Sequence, residues 1–69
     1  MADSVYKVIE LVGTSTKGWE DAAKNAVATA GDSLKNLRIA EITKLDMTVE
    51  EGNAVRFRAR VALSFKIED

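Results

Sequence analysis

Residues 54–67 read AVRFRARVALSFKI, and this stretch decides the fold. Every odd-numbered position in it is apolar, whereas arginines occupy the even positions 56, 58 and 60. Alternation with a period of two is typical of a β-strand that buries one face. The sequence therefore predicts a long strand with one apolar side, formed by Val55, Phe57, Ala59, Val61, Leu63, Phe65 and Ile67.

Two further strands are predicted upstream of it. Residues 3–12 are rich in β-branched side chains and are partly apolar on both faces, so we expect both to be covered. Residues 37–49 form the second strand, which a turn at 50–53 joins to the last one. The turn reads EEGN, and Gly52 suits a left-handed position in a β-hairpin.

Residues 17–35 are predicted to form the one helix, because their apolar residues recur at spacings of three and four. Residues 13–18, GTSTKG, break the first strand before it. Ser15 is the favoured N-cap, with Thr16 as the second choice. The apolar stripe comprises Trp19, Ala22, Ala23, Ala26, Val27, Ala30 and Leu34.

These elements predict a single α+β domain over residues 1–69, in the order β-α-β-β. A right-handed crossover places the first and second strands on either side of the third, which gives an antiparallel sheet of order 1-3-2 around one helix. One helix covers one face of the sheet. The uncovered face would carry Ile39, Glu41, Arg58 and Arg60, and we expect it to promote self-assembly.

Composition excludes most enzymatic chemistry. The 69 residues contain no cysteine and no histidine, so disulfides, thiolate nucleophiles, zinc-cysteine sites and Ser-His-Asp triads are ruled out. Serine hydroxyls without an activating base are poor nucleophiles. We therefore expect a protein that is not an enzyme.

Charge and hydropathy argue against nucleic acid and membranes as binding partners. The net charge of −1 and the few aromatic residues disfavour nucleic acid, and no apolar run is long enough for a membrane helix. The N-terminus MADSVYKVIE lacks the pattern of a signal peptide, so we expect a cytoplasmic protein. A core from fewer than about 70–80 residues rarely supplies more than about 3–5 kcal/mol, so oligomerisation or an oxygen-ligated ion is the expected remedy.

Residues 5–15, VYKVIELVGTS, resemble the opening of the dodecin family. The resemblance continues through the alanine-rich helix, through residues 39–42 (IAEI) and through residues 61–68 (VALSFKIE). It implies a βαββ subunit of a hollow homododecamer that stores or buffers flavins, such as FMN, FAD or riboflavin, without catalysis.

Two positions depart from the flavin site of that family. Ile39 stands where the resemblance implies a stacking tryptophan, beside Ala40, and Arg58 stands where it implies a glutamine. Isoleucine has no π-face, and arginine only donates hydrogen bonds, whereas glutamine both donates and accepts. We therefore expect flavin binding at Ile39, Ala40 and Arg58 to be weak or absent.

Residues 18–23 (GWEDAA) and the pair Asp46-Met47 are similar to a branch of the family termed calcium dodecins. That resemblance implies bound calcium, which takes six to eight oxygen ligands. Candidate ligands are Asp46, Glu50 and Glu51, although no recognised calcium loop is present. The resemblance also implies anion or coenzyme A contacts at Tyr6, Lys7 and Lys66, with ordinary structural roles as the alternative.

Two features keep alternative interpretations. The arginines at positions 56, 58 and 60 could bind a phosphate-bearing ligand or form ion pairs with Glu10 and Glu41. Trp19, the one tryptophan, could stack on a ligand or make a core or subunit contact. The functional hypothesis is a homododecameric binding or storage protein for a small ligand or ion, with calcium as one candidate. The alternatives are a structural shell without ligand, and a flavin-buffering protein despite the substitutions.

Overall fold

A computed structural model describes residues 3–32 and 35–67 of the chain. β1 and β2 each pair antiparallel with β3, which gives a three-stranded sheet of order β1-β3-β2 with one helix. This arrangement confirms the predicted βαββ fold. The elements are β1 (Tyr6–Ser15), α1 (Trp19–Gly31), β2 (Leu37–Glu50) and β3 (Asn53–Lys66).

The core lies between α1 and the central strand β3. Ala59, Val61 and Leu63, on the predicted apolar side of β3, are buried. The helix contributes a stripe of three buried alanines, and Ile9, Leu11, Ala23, Val27 and Leu37 pack around this cluster. The predicted helical stripe is thus confirmed at Ala22, Ala26 and Ala30, while Leu34 lies outside the described residues.

Strand β1 ends later than its sequence predicts. The sequence predicts that residues 13–15 break the strand, but they remain paired with β3 as far as Ser15, which lies opposite Phe57. Gly13 is needed inside the strand because a Cβ there would lie 2.0 Å from the Ala22 carbonyl oxygen. The glycine therefore marks a close approach of helix to sheet and does not mark a loop.

The prediction that Ser15 caps the helix is wrong, as is the second choice, Thr16. The N-cap is Gly18, and no side chain donates or accepts a capping hydrogen bond at this end of the helix. Ser15 is still in β1, where its Oγ accepts from the Lys17 N–H (2.9 Å) and donates to Asp21 in the first helical turn (2.6 Å). The helix spans 19–31 instead of 17–35: it starts late because the strand and this link occupy the residues before it, and it ends at the C-cap Asp32.

The hairpin turn between β2 and β3 is confirmed. Glu50 pairs with Asn53, so Glu51 and Gly52 form a two-residue loop. Both have positive φ, 51° at Glu51 and 81° at Gly52, as a type I′ turn requires.

An irregularity in β2 changes which side chains face the helix. The pairing with β3 shifts between Ile42 and Lys44, which makes Thr43 an extra residue in the strand. The Thr43 Oγ1 donates to the Arg60 carbonyl oxygen at 3.2 Å. Because such a bulge reverses the alternation beyond it, Leu45 lies on the helix side, while Lys44 and Asp46 face away.

We predict that Gly13→Ala destabilises the fold by about 3 kcal/mol, because the new methyl group would overlap the α1 backbone. Urea unfolding followed by circular dichroism measures the loss. Gly31→Ala is the matched control: a Cβ there meets open space, so the variant should be unchanged or more stable by about 0.4–1 kcal/mol. Equal stability of the two variants would contradict the account of Gly13.

Candidate functional site

The sheet face opposite α1, called the outer face below, is uncovered within one subunit. It confirms the sequence prediction for Ile39, Glu41, Arg58 and Arg60, whose cross-strand partners share this face. Val8 and Ile39, each 57% exposed, leave apolar surface open at one end of it. Pairing places on this face Tyr6, Val8, Glu10, Val12 and Thr14 of β1, Ile39, Glu41, Lys44, Asp46 and Thr48 of β2, and Arg56, Arg58, Arg60, Ala62, Ser64 and Lys66 of β3.

Arg58 forms a two-pronged ion pair with Asp46 on the outer face. Its Nε lies 2.6 Å from Oδ1 and its Nη2 lies 2.9 Å from Oδ2. This hydrogen-bonded guanidinium lowers the pKa of Asp46, and Asp46 in turn raises the pKa of Arg58. The predicted partners Glu10 and Glu41 are both opposite Ala62, and the bulge at Thr43 brings Asp46 to Arg58 in their place.

The positions aligned with the flavin site do not meet within one subunit. Ile39 is opposite Ser64 and Arg58 is six residues further back along β3, a separation of about 20 Å at the usual strand rise. Ala40 is opposite Leu63 and so faces the helix side. A compact ligand touching both Ile39 and Arg58 would need two subunits.

Of the three residues predicted to contact an anion or coenzyme A, two lie side by side and the third does not. Tyr6 pairs with Lys66, so these two side chains adjoin on the outer face. Lys7 pairs with Phe65 and therefore points to the opposite side of the sheet. A single anion on the outer face would meet Tyr6 and Lys66 but not Lys7 of the same subunit.

The three predicted calcium ligands are not assembled within the subunit. Across residues 3–32 and 35–67, no group of three or more acidic side chains is placed to hold a metal ion. Both carboxylate oxygens of Asp46 bond to Arg58. Glu50 and Glu51 are exposed at the hairpin turn. These residues alone therefore do not fit a calcium ion in one subunit.

An apolar groove between α1 and β2 was not predicted from the sequence. It encloses about 650 Å³. The groove depends on the bulge at Thr43, which turns Leu45 towards the helix beside Ile42 and which no sequence pattern marks. Its lining is Trp19, Glu20, Ala23, Lys24, Val27, Ala28, Ala40, Ile42 and Leu45.

Trp19 bridges the start of α1 to the two long strands at this groove. Its Nε1–H donates to the Asp46 carbonyl oxygen at 3.0 Å, and its ring meets Phe57 edge-on with centroids 4.9 Å apart. The side chain is nevertheless 38% exposed. Trp19 therefore acts as a packing anchor within the subunit, and its open side leaves room for a further contact.

The dodecin family model matches residues 5–68. The chain belongs to the dodecin family. Among curated dodecins, it is 42% identical over 64 residues to the calcium dodecin of Mycobacterium tuberculosis, covering 93% of this chain and 90% of that one. It is 34% identical over 65 residues to the dodecin of Thermus thermophilus, covering 94% of each.

Solved dodecin structures share the fold. The dodecin from Streptomyces coelicolor superposes with a TM-score of 0.91 at 33% identity, over 100% of this chain and 99% of that one. The M. tuberculosis calcium dodecin, a calcium-chelating antigen with a calcium-binding site, superposes with a TM-score of 0.83 at 42% identity, over 94% and 93%. Within the described ranges of this dodecin chain, no helix has the length and hydropathy needed to cross a membrane.

We predict that Asp46→Asn lowers the urea midpoint at pH 7, because it removes the ion pair with Arg58. The folded pKa of Asp46 is lowered, so its contribution is fully present above the unfolded pKa of about 3.9 and is lost as pH falls through the folded value. The difference from the parent protein should therefore be constant from pH 5 to 8 and shrink below pH 4.

Glu50→Gln is the control for this experiment, since it removes an exposed carboxylate at the turn. It should leave the midpoint at pH 7 nearly unchanged. A difference between Asp46→Asn and the parent that persists undiminished at pH 2 would contradict the assigned role of the ion pair.

Proposed function

We propose that the chain is a non-enzymatic binding or storage subunit that assembles into a homododecamer of about 90 kDa, twelve copies of 7.5 kDa. The distribution of large apolar side chains carries the proposal. Among the described residues, only Leu63 and Val61 are large and fully buried, whereas twelve large hydrophobic residues are exposed. A subunit so poorly covered gains its remaining burial from other copies.

Apolar side chains are exposed on both sides of the sheet, which favours a closed shell over a simple dimer. Ile42 and Leu45 line the groove beside the helix, and Val8, Val12 and Ile39 lie on the outer face. The sheet also has two open edges, at β1 and β2, because both strands pair only with β3. Several distinct surfaces per subunit are what a multi-contact assembly requires.

The chemistry of the subunit supports binding without catalysis. The chain has no histidine or cysteine to activate a nucleophile. At the flavin-equivalent positions, Ile39 lacks a ring, and two N–H groups of Arg58 are already bonded to Asp46. These features support weak or lost flavin binding and leave a different small ligand or an ion as the cargo.

Calcium is the ion with a specific precedent, because the relative at 42% identity is a calcium dodecin. The carboxylates Asp46, Glu50 and Glu51 do not converge in one subunit. A calcium site built from them would draw ligands from more than one subunit, and assembly would then be a condition of binding. A shell without ligand is the second candidate function.

We expect light scattering of the purified protein to give about 90 kDa. Leu45→Glu should reduce this mass towards 7.5 kDa, because it places a charge on the apolar groove at Leu45, which is 53% exposed in the lone subunit. Thr16→Glu, in the exposed loop before the helix, should keep the full mass. A stable monomer or dimer of the parent protein would overturn the proposed assembly.

We expect the parent protein to quench flavin fluorescence weakly. Ile39→Trp combined with Arg58→Gln should tighten flavin binding by roughly tenfold or more, since a stacked ring and one hydrogen bond each contribute about 1 kcal/mol. Ile39→Leu with Arg58→Gln supplies no ring and should bind less tightly. Strong quenching by the parent would establish the flavin-buffering alternative instead.

We predict calcium binding that depends on assembly. Equilibrium dialysis against calcium should show stoichiometric retention by the parent protein and loss of retention in the dissociated Leu45→Glu variant. Retention of neither calcium nor flavin by a 90 kDa parent would favour the shell without ligand.

A further inference from the structure

Two cations face each other on the outer face. The bulge at Thr43 makes Lys44 the partner of Arg60 across β2 and β3. Directly opposed side chains in an antiparallel pair lie about 5 Å apart at Cβ, and like charges there destabilise the sheet. An uninterrupted alternation in β2 would have turned Lys44 to the other side, so the bulge creates this pair.

The neighbouring side chains do not neutralise the positive charges of Lys44 and Arg60. Arg56 and Arg58 are on the same side of β3, and the carboxylate of this region, Asp46, is bound through both oxygens to Arg58. Arg60 lies near enough to lower the pKa of Asp46, although Arg58 has the larger effect. Between the Arg56 and Arg60 positions, this face therefore holds four cationic side chains and one carboxylate.

The nearest glutamates on this face are displaced along the sheet. Glu10 and Glu41 both flank Ala62, two residues beyond Arg60 on β3. Within residues 3–32 and 35–67, the ion pairs are Arg58–Asp46 and, on the helix, Lys24–Glu20. Neither Lys44 nor Arg60 therefore has an ion-pair partner among the described residues; Lys44 is exposed and Arg60 is half-buried.

We propose that Lys44 and Arg60, flanked by Arg56 and Arg58, form a binding site for a phosphate-bearing anion. Arginine presents planar N–H groups that match phosphate oxygens, and lysine adds a mobile point charge. A bound phosphate would replace the repulsion between Lys44 and Arg60 with two attractive contacts. On β1, Thr14 lies opposite Arg58 and places a hydroxyl on the same face.

The site lies within one subunit and goes beyond the proposed storage function, because it requires neither flavin nor calcium. Its chemistry fits a free inorganic anion and the phosphate group of an organic ester equally. The probes are therefore inorganic pyrophosphate, inorganic phosphate and glycerol phosphate, each titrated by calorimetry at low ionic strength. We expect saturable binding of pyrophosphate with one site per chain.

Substitutions that each remove one positive charge test which residues bind the anion. Lys44→Gln and Arg60→Gln should each weaken pyrophosphate binding by about tenfold, which is the usual effect of losing one charge-assisted contact. Lys17→Gln removes the same charge from an exposed loop and should leave the affinity unchanged. Equal losses in all three variants, or none in Lys44→Gln and Arg60→Gln, would overturn the site.

Lys44→Glu separates loss of binding from loss of folding. An acid opposite Arg60 forms an attractive cross-strand pair, so this variant should melt at a higher temperature than the parent in phosphate-free buffer and yet bind no pyrophosphate. Full retention of binding by Lys44→Glu would contradict the proposal. Tighter binding of glycerol phosphate than of inorganic phosphate would assign the site to organic phosphates, and the reverse order to the free anion.

The molecular mass of every titrated sample, measured by light scattering, keeps this test apart from that of the assembly. A 90 kDa protein that binds no pyrophosphate overturns the anion site alone. A monomer that binds pyrophosphate at Lys44 and Arg60 supports the anion site and overturns the assembly alone.

Discussion

The close contact between α1 and the sheet is the constraint on which the rest of the structure depends. Gly13 has no side chain, and the Ala22 backbone occupies the space where one would lie. Alanines at 22, 26 and 30 continue the contact along the helix. Small residues let the helix approach closely, but they bury little apolar area each. The core is therefore tight and small at the same time.

A small core leaves most of the large apolar side chains without cover. The helix has 13 residues, whereas β2 and β3 have 14 each, and a strand rises more than twice as far per residue as a helix. The helix cannot shield the sheet along its length, and it sits over β1 and β3 more than over β2. The groove beside Trp19 and the open outer face both follow from this mismatch.

The sequence predicts the parts of the fold that local patterning controls. The strand order, the left-handed Gly52 and the alternation of β3 from Arg56 to Lys66 follow from side-chain period and turn chemistry, and the structure confirms them. The alternation fails at Val55, which the shift in pairing between Thr48 and Val49 leaves as an extra residue. Sequence patterns alone place Gly13 in a loop and Ser15 at the helix N-cap, because both residue types are typical of such positions when tertiary contacts are ignored. Here Gly13 is required by the helix that packs over it, and Ser15 stays paired with Phe57.

The candidate sites were harder to predict than the fold. Nothing in the composition of β2 signals that Thr43 is an extra residue, yet this residue decides which side chains share a face. It pairs Asp46 with Arg58 and Lys44 with Arg60, and it turns Leu45 to the groove. The flavin-equivalent residues Ile39 and Arg58 could be named from the resemblance, but their separation along β3 required the register.

In the proposed assembly, other copies of the chain complete its core. The most direct test is the dependence of unfolding on protein concentration, measured by urea titration over a thousandfold dilution series. If folding and assembly are coupled, mass action requires the unfolding midpoint to rise steadily with concentration. A midpoint that stays constant across the series would show that the single subunit is stable alone and would contradict the account.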